Sequence, residues 1–241
     1  LFEARKEFYK GHLSSHGEAS RYFVTFLDNH DMSRRFYHSE STDPHRYDDQ
    51  LTMGIALLMA LQGIPCIYYG TEQGLHGAGD KDLAVREALW GKPNAFDTDH
   101  AFFREIQTMS SLRCGYPALR FGRQYFRPIS GDGFHFGIST TRPGVIAFSR
   151  ILDDSEVLVV ANTHTIDPWR GHILVDFALT NVSARWDLLY SNKRPAAANT
   201  IPACEISSNG SSIGSRTLGQ PIRAVSVALD PMEIQILSCR R

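Results

Sequence analysis

Four consecutive residues, Asp28, Asn29, His30 and Asp31, hold the densest chemistry in this sequence: two carboxylates, an amide and an imidazole. They follow directly on residues 22–27 (YFVTFL), an aromatic and β-branched run with almost no polar side chain. Such a run suits a strand buried on both faces, as in a parallel sheet covered by helices. Parallel barrels place their chemistry where strands end at the carboxyl side. A carboxylate and an imidazole at that point can accept and donate hydrogen bonds to a polar substrate. The same residue types also build Asx turns and helix caps, so this stretch alone leaves both readings open. A metal-dependent hydrolase using His30 and Asp31 has too few ligands in register. His38, His45 and His76 show no ligand spacing and read as surface loop residues, so no metal site is expected.

The elements that must position this cluster can be taken in order. Residues 2–10 have apolar residues at helical spacing, and 11–20 are a polar loop. After the strand and a polar stretch, Asp48 and Asp49 open a helix over residues 50–62, apolar on most sides and so expected to be buried; Gly63 stops it. Residues 64–69 (IPCIYY) form the second buried strand, with Cys66 as a small core residue and Tyr68 and Tyr69 as core aromatics. Strand, helix, strand of this kind is a βαβ unit of a parallel sheet. The long loop 75–99 carries Arg86 and Trp90, and loops of that length usually bind or cover something. Residues 100–113 form a helix with Phe102, Phe103, Ile106, Met109 and Leu112 facing inward.

After Pro117 the texture changes to short β-rich runs separated by turn residues, at 134–140, 145–151, 156–162, 173–177, 185–190, 223–229 and 233–238. That pattern predicts an antiparallel sandwich or Greek-key domain, with 193–220 as a mobile loop. The expected division is 1–122 and 123–241. The fold class is therefore α/β: the C-terminal part of a TIM (β/α)8 barrel followed by an antiparallel β-sandwich. An eight-unit barrel takes about 250 residues, and only roughly 120 precede the sandwich. The missing N-terminal barrel half is expected from the same polypeptide or from a partner chain, because the piece alone leaves an unpaired parallel edge and an apolar face.

Composition narrows the partners. Lys and Arg total 25 and Asp and Glu 26, a formal net charge of −1, which points to neither nucleic acid nor an anionic membrane surface. No apolar run approaches the ~20 residues of a membrane span. Cys66, Cys114, Cys204 and Cys239 have no metal-like spacing. The start at Leu1 carries no signal pattern and reads as internal to a longer polypeptide, so localisation is left unassigned.

Residues 26–36 (FLDNHDMSRRF) resemble the fourth signature region of the α-amylase superfamily, glycoside hydrolase family 13. That region is an Asn-His-Asp motif at the end of barrel strand seven, with an Arg three residues after the Asp. Residues 63–74 (GIPCIYYGTEQG) resemble the eighth strand and its loop. Residues 86–90 (REALW) resemble an Arg-x-x-x-Trp segment of that loop. Residues 102–122 are similar to the last barrel helix and the entry into the C-terminal sandwich. The order and spacing match over about residues 20–125.

The resemblance implies a retaining hydrolase or transglycosidase acting on α-glucosidic bonds, a reaction needing a carboxylate nucleophile and a carboxylic acid donor close together. It implies that Asp31 is the third, substrate-gripping carboxylate, accepting hydrogen bonds from the sugar 2- and 3-hydroxyls. His30 would donate to a neighbouring hydroxyl, and Asn29 supports the turn at the edge of the same substrate-binding set. Arg34 or Arg35 pairs with a substrate-site carboxylate or lies solvated on the surface, and Trp90 is a stacking candidate. The implied nucleophile and acid/base come from strands upstream, and neither Glu72 nor Asp28 replaces them, so this chain alone is expected to be inactive. No cofactor is required; the structural Ca²⁺ common in the family has its ligands upstream. The implied partner is an α-glucan or maltooligosaccharide. The rival reading is a non-catalytic relative or fragment that binds carbohydrate or scaffolds a partner.

Overall fold

The computed structural model of the protein describes residues 19–77, 82–92, 95–139, 143–195, 200–207 and 209–240. The helix expected over 2–10 lies outside them. The chain divides into two compact units, Leu1–Tyr116 and Pro117–Arg241, so the division falls before Pro117 rather than after Gly122. The physical reason is a short helix, Pro117–Phe121, whose Ala118 and Leu119 are buried and which packs on strands of the second unit. Proline is pre-shaped for a first helical position, so it starts a new element here.

In the first unit, β1 (Val24–Thr25) and β2 (Ile64–Pro65) pair in parallel, Val24 opposite Ile64 and Thr25 opposite Pro65. Helix α1 (Asp48–Ala60) connects them. Its two opening aspartates sit at the positive end of the helix dipole, and Leu51, Met53, Ile55, Ala56, Leu58 and Met59 are buried. Gly54 is where the helix meets the strand. A Cβ there would lie 2.6 Å from Phe36 Cε1 and 3.2 Å from Leu27 Cδ1, so only a glycine admits this approach. A short helix α2 (Asp82–Val85) lies in the loop after β2. Helix α3 (Ala101–Gly115) packs on α1, and His100 caps it by accepting from Phe102 N at 3.2 Å. The end of α1 is closed by Arg113, which donates to the carbonyls of Met59 (2.5 Å), Leu61 (3.2 Å) and Gly63 (2.8 Å).

The strand pair differs from the expectation of burial on both faces. Tyr22, Val24, Phe26 and Ile64 are 58, 54, 48 and 49 % exposed, whereas the alternate residues Phe23, Thr25 and Leu27 are half-buried on the α1 side. Cys66, expected in the core, is exposed on the same register as Ile64, and Tyr69 is exposed too. The reason is period-2 alternation: helices cover one face, and no described residue covers the other.

In the second unit, α4 (Pro117–Phe121) leads into β3 (Arg123–Phe126), β4 (Ile129–Ser130), β5 (His135–Phe136), β6 (Val145–Leu152), β7 (Ser155–Asn162) and β8 (Trp169–Leu174). These are followed by β9 (Arg185–Ser191), β10 (Thr200–Ile206), β11 (Ser212–Ile213), β12 (Arg216–Thr217), β13 (Ile222–Leu229) and β14 (Ile234–Arg240). Nine strands make one antiparallel sheet in the order β3-β6-β7-β14-β9-β10-β13-β8-β4, and β12-β11-β5 make a small mixed sheet in which β11 runs antiparallel to β12 and parallel to β5. The region expected to be a mobile loop over 193–220 contains β10, which joins the two arms of the large sheet. Thr200, Ile201 and Pro202 pair with β9, and Ala203–Ile206 pair with β13. The handover falls at Pro202, where the missing N–H interrupts a ladder least. Trp186, Leu158, Val160, Ile173, Val225 and Leu237, drawn from both arms, share one core.

Candidate functional site

The polar cluster is built by the chain turning back at the end of β1. Asp28 is buried and its Oδ2 accepts from Phe36 N at 2.9 Å, closing a loop over residues 29–35. Asn29 Oδ1 accepts from Asp31 N at 2.8 Å, an Asx turn that fixes the backbone beneath Asp31. His30 Nε2 lies 3.2 Å from Asp31 Oδ1. The two side chains are 62 and 73 % exposed, and the described residues do not close over them.

A third group joins them that residue types alone had not assigned to the site. Arg86 donates from Nε to His30 O at 3.3 Å, and its Nη2 lies 3.6 Å from Asp31 Oδ1. Arg86 follows α2, and that segment is clasped from the strand ends. Tyr69 OH donates to Glu87 O (2.9 Å) and Tyr68 OH to Val85 O (3.3 Å). Arg35 Nε donates to Val85 O (3.2 Å) and its Nη1 to Tyr69 O (2.7 Å), with the guanidinium 4.3 Å from the Tyr68 ring centroid. Arg35 is thus a buried clasp and not a solvated surface group. Burial, then its hydrogen bond with Tyr69, raises the Tyr68 phenol pKa. The signal in the sequence was Arg86 four residues before Trp90.

The remaining candidates scatter. Trp90 is 74 % exposed. Arg34 is exposed and lines a cavity of about 540 Å³ to which neither Asp31 nor His30 contributes. Glu72 lies in the single turn Thr71–Gln73, which packs on α3. Its neighbour Gln73 exchanges two hydrogen bonds with the Asp97 backbone, at 2.8 and 2.9 Å. Among the described residues no group of three or more His, Cys, Asp or Glu side chains stands together. No described helix is long and apolar enough to cross a membrane.

Residues 2–120, which hold β1, α1, β2 and the Asp31 cluster, match the family model described as Alpha amylase, catalytic domain. Curated relatives agree. A cyclomaltodextrin glucanotransferase of Geobacillus stearothermophilus is 39 % identical over 109 residues, covering 45 % of this chain and 14 % of its own length. This chain belongs to the α-amylase superfamily. A second glucanotransferase of this superfamily, from Bacillus licheniformis, is 33 % identical over 144 residues, 58 % of this chain and 18 % of the relative. The chain therefore spans less than a fifth of these curated relatives. Among solved structures, the three-domain cyclomaltodextrin glucanotransferase CldA superposes with a TM-score of 0.64 at 23 % identity, covering 98 % of this chain and 38 % of that one. The α-amylase of Geobacillus thermoleovorans in complex with acarbose gives a TM-score of 0.59 at 17 % identity, over 100 % and 42 % of the two chains. At these identities the likeness speaks for the fold.

Proposed function

We propose that the chain is part of a retaining α-glucan-active hydrolase or transglycosidase of the α-amylase type, to which it contributes the substrate-gripping carboxylate Asp31 and its neighbour His30. In this reading the first unit is the C-terminal part of a (β/α)8 barrel and the second a C-terminal β-sandwich. The apolar face bearing Tyr22, Val24, Phe26 and Ile64 is the side on which the rest of the barrel packs. The observation that carries the proposal is the position of Asp31: after the end of a parallel strand, on an Asx turn, with an imidazole and a guanidinium beside the same oxygen. An ionised carboxylate held this way offers its remaining lone pairs to two adjacent sugar hydroxyls. Those hydrogen bonds strengthen as the ring flattens toward an oxocarbenium ion, and they supply roughly several kcal/mol. Asn29 holds the turn, Arg34 flanks it, and Trp90 offers an exposed ring for a sugar face. The nucleophile and the acid/base belong to upstream strands, so this chain alone is without turnover.

The test is Asp31→Asn in the full-length protein, assayed on a maltooligosaccharide. The variant should fold normally and lose nearly all turnover. Turnover at the wild-type level would refute the role. A correctly folded full-length wild type that binds maltooligosaccharide without cleaving it would instead favour a non-catalytic, carbohydrate-binding relative.

A further inference from the structure

Arg86 comes 56 residues after His30, yet one edge of its guanidinium faces the turn that carries Asp31. Nε donates to His30 O at 3.3 Å, and Nη2 stands 3.6 Å from Asp31 Oδ1. The first contact holds the peptide of the turn. The second is an ion pair longer than a hydrogen bond, and it draws the carboxylate to the same side. His30 Nε2 lies 3.2 Å from that same oxygen. Both contacts bear on Oδ1, and neither engages Oδ2.

The backbone of Arg86 is itself held on both sides. Val85 O accepts from Arg35 Nε (3.2 Å) and Tyr68 OH (3.3 Å), and Glu87 O accepts from Tyr69 OH (2.9 Å). Arg86 N donates to Leu83 O at 3.2 Å. Arg35 belongs to the loop that Asp28 closes, the loop that also carries Asp31. The circuit therefore shuts on itself: the loop holds segment 85–87 through Arg35, and the segment holds the turn through Arg86. As a stability device the last link is weak. The Arg86 and Asp31 side chains are 51 and 73 % exposed, and exposed ion pairs contribute little to folding. Its value lies elsewhere. A carboxylate that meets sugar hydroxyls in the transition state works faster when its rotamer is set beforehand, because turnover then includes no reorientation.

We propose that Arg86 is a positioning residue, which sets the rotamer of Asp31 by holding Oδ1 and the His30 carbonyl at once, so that Oδ2 stays available to a sugar hydroxyl. The inference rests on the substrate-gripping role proposed for Asp31, and Arg86 acts only through it.

The test is a substitution cycle in the full-length protein on α-maltosyl fluoride, an activated substrate that keeps turnover measurable when Asp31 is replaced. Arg86→Ala should lower kcat about 10- to 100-fold, with KM within about threefold of wild type. Its melting temperature should move by less than about 3 °C. In the Asp31→Asn background the same substitution should cost less than about twofold, because the charge that Arg86 holds is gone. Arg86→Lys should recover less than half of the loss on a logarithmic scale, since one ammonium cannot serve two acceptors as a fork edge does. A crystal structure of the full-length Arg86→Ala variant should show the Asp31 carboxylate in another rotamer. An unmoved carboxylate, an undiminished kcat in Arg86→Ala or full recovery in Arg86→Lys would overturn the inference. So would an equal cost in the Asp31→Asn background, which would mark Arg86 as touching substrate itself. Wild-type turnover in Asp31→Asn alone would remove the role of Asp31 and this inference with it. A crippled Asp31→Asn beside an unimpaired Arg86→Ala would remove this inference only.

Discussion

Replacing Arg113 by Ala should loosen the junction on which the candidate site is mounted. The guanidinium bridges the last turn of α1 and the start of β2, reaching the carbonyls of Met59, Leu61 and Gly63 at 2.5, 3.2 and 2.8 Å. A hydrogen bond to a charged donor contributes about 1.5–3 kcal/mol. Two of the three share Nη1, and the side chain is only half-buried, so water replaces part of the loss. A net cost of about 2–3 kcal/mol follows, with the carbonyl desolvation included. Native-state hydrogen exchange localises it. Protection of Leu61 N, bonded to Leu57 O, of Ile64 N, bonded to Phe23 O, and of Cys66 N, bonded to Thr25 O, should fall about 30- to 150-fold. Amides of β7 and β14 in the second unit should keep their protection. Arg113→Lys should recover at most half, because one ammonium cannot span Met59 O and Gly63 O with fixed forks. A change below threefold at these amides, or an equal loss in both units, would refute the clasp.

Three other outcomes follow from the geometry. Gly54→Val should destabilise the first unit by about 1–3 kcal/mol in thermal melts, because overpacking against Phe36 and Leu27 outweighs the better helix propensity. Trp90→Ala should leave stability within about 0.5 kcal/mol, as expected for an exposed side chain, while raising KM for long α-glucans more than it lowers kcat. Asp132 has its pKa held far below the usual range, first by the backbone N–H of His135 and then by its imidazole. Its folded pKa being depressed, its stabilisation is present above its ordinary value, about 3.9, and is lost as pH falls through the folded value. Asp132→Asn should therefore make the stability of the second unit less steep with pH below about 4, read by acid titration of its circular dichroism.

Much of this was legible in the sequence, for identifiable reasons. Helix α1 announced itself because Leu51, Ile55, Leu58 and Met59 sit among good helix formers after two aspartates. The Asp28–Asp31 cluster was legible because polarity changes abruptly at a strand end. Residues 22–27 read as buried on both faces because an apolar run records what a strand is made to touch, whereas the described residues cover only one of those faces, as expected of the piece alone. Strand β10 was missed because Pro202 and the small residues around it read as loop, although the proline sits where the strand changes partners. The clasp by Arg35 and the approach of Arg86 to Asp31 join residues 34 to 56 positions apart, and no local pattern encodes that.

The central claim, that Asp31 grips the sugar hydroxyls that tighten in the transition state, is tested most directly by a double-substitution cycle. Wild type and Asp31→Asn, both full-length, are compared on an α-maltosyl fluoride and its 2-deoxy analogue at the reacting ring. Removing the 2-hydroxyl also eases oxocarbenium formation, but that effect is common to both enzymes and cancels in the cycle. The mutation should cost at least tenfold less in kcat/KM on the 2-deoxy substrate than on the normal one. Equal costs on the two substrates would mean that the carboxylate does not hold that hydroxyl, and would contradict the assignment.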